Sequence, residues 1–148
     1  MLKPRACWSV LLTKAEDEVD RIQNELQQIR LRAQSLEASR ERLLNLHADY
    51  QQAPATGSTS AGMQDTMNRR QFAAQLLTLL DRVKQDIAQV ERVMAHTRQR
   101  LADAEKERLK MQALVDQDLN AVRKDAAVRE QRQMDELGVM QFNLGGGA

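Results

Sequence analysis

The groups in this chain that reaction chemistry could use are His47, His96, Cys7, a large set of carboxylates and the glycine run Gly145-Gly146-Gly147. General acid–base catalysis needs titratable groups within hydrogen-bond reach of one substrate, and nucleophilic catalysis needs a base beside the nucleophile. His47 and His96 fall on different arms of the chain, far apart in the pairing derived below, and neither has a nucleophile within helical reach. His47 reads as a tolerated polar residue on an otherwise apolar strip. Cys7 is the only cysteine, so no internal disulfide is possible, and no Cys/His cluster has the spacing of a metal site. Nothing near it marks an activated thiol. The carboxylates alternate with Arg and Lys as solvated helix flanks do, whereas paired catalytic acids need a pocket around them. The glycine run follows no strand and opens no helix, unlike a phosphate loop. The expectation is a protein that is not an enzyme, with no catalytic residue, no cofactor and no metal.

The elements that carry these residues follow from composition and period. Aromatic residues make up 3% of the 148 and charged residues 29%, too little bulk for a wide core. Runs of Gln, Arg, Glu, Ala and Leu form helices readily, and no segment alternates as a strand would. The formal net charge of +1 gives no global attraction to nucleic acid or anionic lipid. Arg69 and Arg70 form only a short basic pair without aromatic residues spaced for stacking on bases, so no nucleic-acid partner is expected. The opening residues are too short in apolar length for a signal peptide, and no stretch approaches the roughly 20 apolar residues of a spanning helix. A soluble, cytosolic chain with no direct membrane insertion is the expectation.

Two apolar series with steps of three and four run along the chain. The first is Leu12, Ala15, Val19, Ile22, Leu26, Ile29, Ala33, Leu36, Leu43 and Tyr50, with Arg40 and His47 as its polar members. The second is Leu76, Leu80, Val83, Ile87, Val90, Met94, Leu101, Ala104, Met111, Val115 and Val122, interrupted at Thr97, Arg108 and Asp118. A period near 3.5 over so many turns describes a coiled-coil seam. The fold class is therefore all-α: a long two-helix antiparallel coiled-coil hairpin, one domain over 1–148, with the longer helix second. Arm one should occupy about 5–52, starting between Pro4 and Ser9 with Ser9 as a possible N-cap. A loop is expected over 53–67, rich in Pro, Gly, Ser and Thr. Asn68 and Gln71 resemble a capping box, so arm two should run over about 68–137, before a flexible tail at 138–148.

Unequal arms leave an excess. If Tyr50 folds back near Phe72, Leu12 lies beside about Lys110, and α-helical rise leaves everything beyond about Ala113 unmatched. That register sets Glu16, Asp17, Glu18, Asp20 and Glu25 along a stretch carrying Arg98, Arg100, Lys106, Arg108 and Lys110. Such flanking charges choose partner and direction more than they stabilise. Near the loop, Leu43, Leu46 and Tyr50 with Phe72, Leu76, Leu79 and Val83 exceed what one two-stranded seam buries, which reads either as a thickened core or as a docking patch. Of the seven methionines, Met94 and Met111 lie on the seam, while Met134 and Met140 lie in the excess, where an adaptable side chain suits a binding face.

Local segments resemble the flagellar type III export protein family FliJ. Ala15-Glu16-Asp17-Glu18-Val19-Asp20 is similar to the family's acidic opening of arm one, Asn68-Arg69-Arg70-Gln71-Phe72 to its start of arm two, and Arg129-Glu130-Gln131-Arg132-Gln133-Met134-Asp135-Glu136 to its C-terminal signature. The resemblance implies a coiled-coil stalk like that of rotary ATP synthases, working in flagellar biogenesis, motility and chemotaxis. It implies three partners: the export ATPase hexamer, into whose ring the stalk inserts; the cytoplasmic domain of the export gate membrane protein; and export chaperones. It implies a cytoplasmic location, peripheral to the inner membrane at the flagellar base. Leu43, Leu46, Tyr50, Phe72 and Leu76 are then the gate-docking candidates, and Arg129, Gln131, Met134, Asp135 and Glu136 the ATPase-facing candidates. The injectisome counterpart shares this architecture, and a generic dimerising coiled-coil adaptor is the alternative of a different class.

Overall fold

The structure, a computed structural model, describes residues 3–52 and 62–145. They form two helices, α1 at Ala6–Gln52 and α2 at Gly62–Gly145, with no strand among the described residues. Residues 53–61 of the loop expected over 53–67, and the last three residues of the expected tail, lie outside the described residues. The fold is all-α, as the seams require, and it divides into two compact units.

One unit spans Ile22–Leu101. Its core takes Ile22 and Leu26 from α1 and Leu76, Leu80, Val90 and Thr97 from α2, each no more than 6% exposed. Ile29, Ala33, Leu36 and Leu43 on one helix, and Val83, Ile87, Met94 and Leu101 on the other, extend the strip as half-buried residues. Burying one such aliphatic side chain is worth about 1.5–3 kcal/mol, so the strip, and not the helix propensity of either sequence alone, holds the pair together. Two contacts set its direction. The rings of Tyr50 and Phe72 sit with centroids 4.6 Å apart, and Arg100 Nη1 donates to Glu25 Oε2 at 2.8 Å. The helices of this unit are antiparallel.

Polar members of the strip are handled differently. Thr97 is 2% exposed, and its hydroxyl donates to the Val93 carbonyl at 2.8 Å, so its polar atom is satisfied within its own helix. Arg40 is half-buried. Its Nη1 reaches Glu37 Oε2 at 3.3 Å, but its Nε is buried with no hydrogen-bond partner.

The other unit joins Met1–Arg21 to Ala102–Ala148. Ala15 and Val19 are buried; Trp8 and Leu12 on α1, and Ala104, Met111, Val115 and Val122 on α2, are half-buried. The α1 start is fixed by a bond between the helices: the Arg5 amide donates to Asp118 Oδ2 at 2.6 Å. Beyond it α2 continues as helix, and every described residue from Glu130 to Gly145 is exposed.

Three boundaries differ from expectation. Helix α2 begins at Gly62, with φ of 25°, a conformation that glycine adopts without strain, and Asp65 in its first turn favours the positive end of the helix dipole. The Asn68–Gln71 pair is therefore inside a helix already begun. At the far end α2 runs through Gly138 to Gly145: one glycine costs a helix interior only about 1 kcal/mol, and no proline follows to stop it. Ser9 is not the N-cap; it lies inside α1, and its hydroxyl donates to the Ala6 carbonyl at 2.9 Å.

Arg40→Leu should remove an unsatisfied buried donor, worth about 1–3 kcal/mol, at the expense of an exposed i,i+3 ion pair worth well under about 1 kcal/mol. A thermal melt followed by circular dichroism should therefore show a midpoint a few degrees higher. A lower midpoint would contradict this reading of Arg40.

Candidate functional site

Helical geometry distributes the loop-end candidates between core and surface. Leu76 is 2% exposed and belongs to the core, and Leu43 is half-buried. Phe72, one turn before Leu76, is 37% exposed, Tyr50 36% and Leu46 39%. The Tyr50–Phe72 ring pair therefore stands at the rim, with apolar faces both covered and open. Around it lies an open concavity of about 510 Å³ lined by Asp49, Tyr50, Asp65, Asn68, Arg69 and Phe72. Leu44, Leu77 and Leu79 add exposed apolar area in the same unit. Leu76 thickens the core, whereas Phe72, Tyr50 and Leu46 are exposed at the rim.

The ATPase-facing candidates lie far along α2 in the other unit, Arg129 half-buried and the other four exposed. Arg129 Nη2 pairs with Asp125 at 3.2 Å, one turn back, and Gln131 Nε2 donates to Asp135 Oδ1 at 3.1 Å. Met134 is 69% exposed, and Glu136 is exposed. Leu137, Val139, Met140, Phe142 and Leu144 follow at 58–83% exposure. Met140 was marked by its residue type, but Val139, Phe142 and Leu144 were missed because a flexible tail was expected from residue 138; in a helix they become an exposed apolar surface.

His47 is half-buried on α1 and His96 exposed on α2, and the antiparallel pairing sets His47 near the level of Leu76, well away from His96. Cys7 is an exposed free thiol. Among the described residues no three His, Cys, Asp or Glu side chains are grouped to hold a metal ion. No helix among the described residues is long and apolar enough to cross a membrane. Exposed apolar side chains and paired surface charges are what these segments present to solvent.

Two long helices that pair through a narrow apolar seam within each unit define an all-α coiled-coil protein. The chain matches the family model described as Flagellar FliJ protein over residues 9–147, and it belongs to that family. Membership makes it a coiled-coil protein of flagellar export. No curated protein and no solved structure matches the chain significantly.

Leu76→Ala should cost about 2–5 kcal/mol of stability, as truncation of a fully buried leucine does, whereas Phe72→Ala at the rim should cost about half as much or less. Urea unfolding of both variants checks the difference; equal losses would place both side chains in the core.

Proposed function

We propose that this protein is the stalk of the flagellar type III export apparatus, inserting its terminal unit into the export ATPase ring and docking its loop-end face on the cytoplasmic domain of the export gate. The observation that carries this reading is the exposed stretch of α2 from Glu130 onward, with Met134, Leu137, Met140 and Phe142 on its surface. A helix of that kind, long, apolar on its surface and covered by nothing in its own chain among the described residues, suits an annular socket lined by several subunits. Family membership supports the export setting.

The action of such a stalk is mechanical. It can change ATPase turnover only by binding some subunit conformations more tightly than others, since a ligand shifts an equilibrium by its differential affinity. Arg129, Gln131, Met134, Asp135 and Glu136 would supply that unequal contact. Leu46, Tyr50 and Phe72 would form the gate-facing rim, held in place by Leu43 and the buried Leu76. Export chaperones are further partners in this reading, and association with the inner membrane at the flagellar base would come through the gate rather than through insertion of this chain.

Truncation after Arg129 keeps Asp118 and every half-buried residue of the unit but removes the exposed stretch. It should abolish stimulation of the export ATPase in a phosphate-release assay while leaving binding to the gate domain, measured by calorimetry, within about twofold of the full chain. Conversely, Leu46→Ala with Phe72→Ala should weaken gate binding tenfold or more, about 1.4 kcal/mol, and leave ATPase stimulation intact. Retained stimulation in the truncated chain would overturn this assignment of the two ends.

A further inference from the structure

The first turn of α1 lacks the means to cap itself. It carries no acidic residue, and the hydroxyls of Ser9 and Thr13 donate to carbonyls behind them, at 2.9 Å to Ala6 and 3.0 Å to Ser9. A helix start leaves N–H groups unpaired and a positive dipole end uncompensated unless an acceptor is supplied. Asp118, from α2, is where that acceptor comes from: its Oδ2 takes the Arg5 N–H at 2.6 Å. Arg5 is the N-cap residue, because its own carbonyl accepts the Trp8 N–H at 3.1 Å.

Asp118 is equally anomalous on its own helix. It is half-buried at a seam position, between the half-buried Val115 and Val122. A carboxylate drawn partly out of water on an apolar strip is costly unless it meets a donor. The unsatisfied helix start and the misplaced carboxylate thus resolve each other.

We propose that Asp118 is an intramolecular latch: it caps α1 from across the pair and fixes the axial register of this unit. The carboxylate reaches the amide only when Arg5 lies level with it, and a slip of one helical turn, about 5.4 Å, loses the bond. Release of the latch frays the first turns of α1, uncovers Trp8 and Leu12, and lengthens the exposed apolar strip of α2 back toward Val115. This role is intramolecular and holds whether or not the exposed strip meets an ATPase.

Hydrogen–deuterium exchange on the full chain tests it. Asp118→Ala should speed exchange of the amides between Trp8 and Lys14 roughly fivefold while leaving those of 22–52 unchanged. Asp118→Asn, which keeps an acceptor and loses the charge, should fall between that variant and the parent. Adding Arg5→Ser to the Asp118→Ala chain supplies a local N-cap and should return exchange to near the parent rate. Unchanged exchange between Trp8 and Lys14 in Asp118→Ala would overturn the latch, and so would an acceleration that Arg5→Ser fails to reverse, which would assign Asp118 to packing alone.

Discussion

Each helix of this protein owns one narrow strip of apolar side chains, and that strip has a single place to go. With three residues in a hundred aromatic, the chain has little bulk for a layered core. Ile22, Leu26, Leu76, Leu80 and Val90 are therefore nearly all of its core in one unit, and Ala15 with Val19 in the other. The rest of the surface is charged or amide-bearing and gains little from burial. Direction and register become the quantities that matter, because shifting the helices uncovers the apolar strip that stabilises them. Tyr50 against Phe72, Glu25 against Arg100, and Arg5 against Asp118 fix the level of the helices within their own units.

Electrostatics refines that pairing without supplying most of its energy. The Glu25–Arg100 pair lies between groups a little over a third exposed, so screening by solvent keeps its contribution below about 1 kcal/mol. Its value lies in the penalty a parallel or slipped alternative would incur by losing it. Glu18, from the same acidic run, is engaged by Arg21 on its own helix at 2.6 Å. Charges expected to cross the seam thus serve their own helix as readily. The Asp118 carboxylate differs, since it meets a backbone donor at a helix start, where charge and dipole act together.

The seam was legible in the sequence because its period is a direct consequence of helical geometry. Leu26 and Leu80 are buried where steps of three and four put them, and Thr97 and Asp118 already stood out as interruptions. What those interruptions do was not legible. Thr97 satisfies itself by a bond one turn back, whereas Asp118 needs a residue 113 positions away, which local spacing cannot reveal. Trp8, half-buried one turn before Leu12, extends the seam beyond the first member of the apolar series read from the sequence. Gly138 illustrates the opposite error: a single glycine suggested a boundary, but the surrounding helix formers outweigh its small cost. At the loop end, the count of large apolar residues exposed an excess without saying which were buried. The structure separates them, with Leu76 inward and Phe72 at the rim.

The antiparallel register is tested most directly by intramolecular disulfide formation in a Cys7→Ser background. Leu26→Cys with Thr97→Cys joins two seam positions close to the Glu25–Arg100 pair, and the register predicts a rapid, monomeric cross-link under mild oxidation. Leu26→Cys with Val90→Cys is displaced by one heptad, about 10 Å along the helix, beyond disulfide reach, and should remain reduced. Cross-linking of the displaced pair in preference to the level one, or cross-links only between chains, would contradict the hairpin pairing on which the proposed stalk depends.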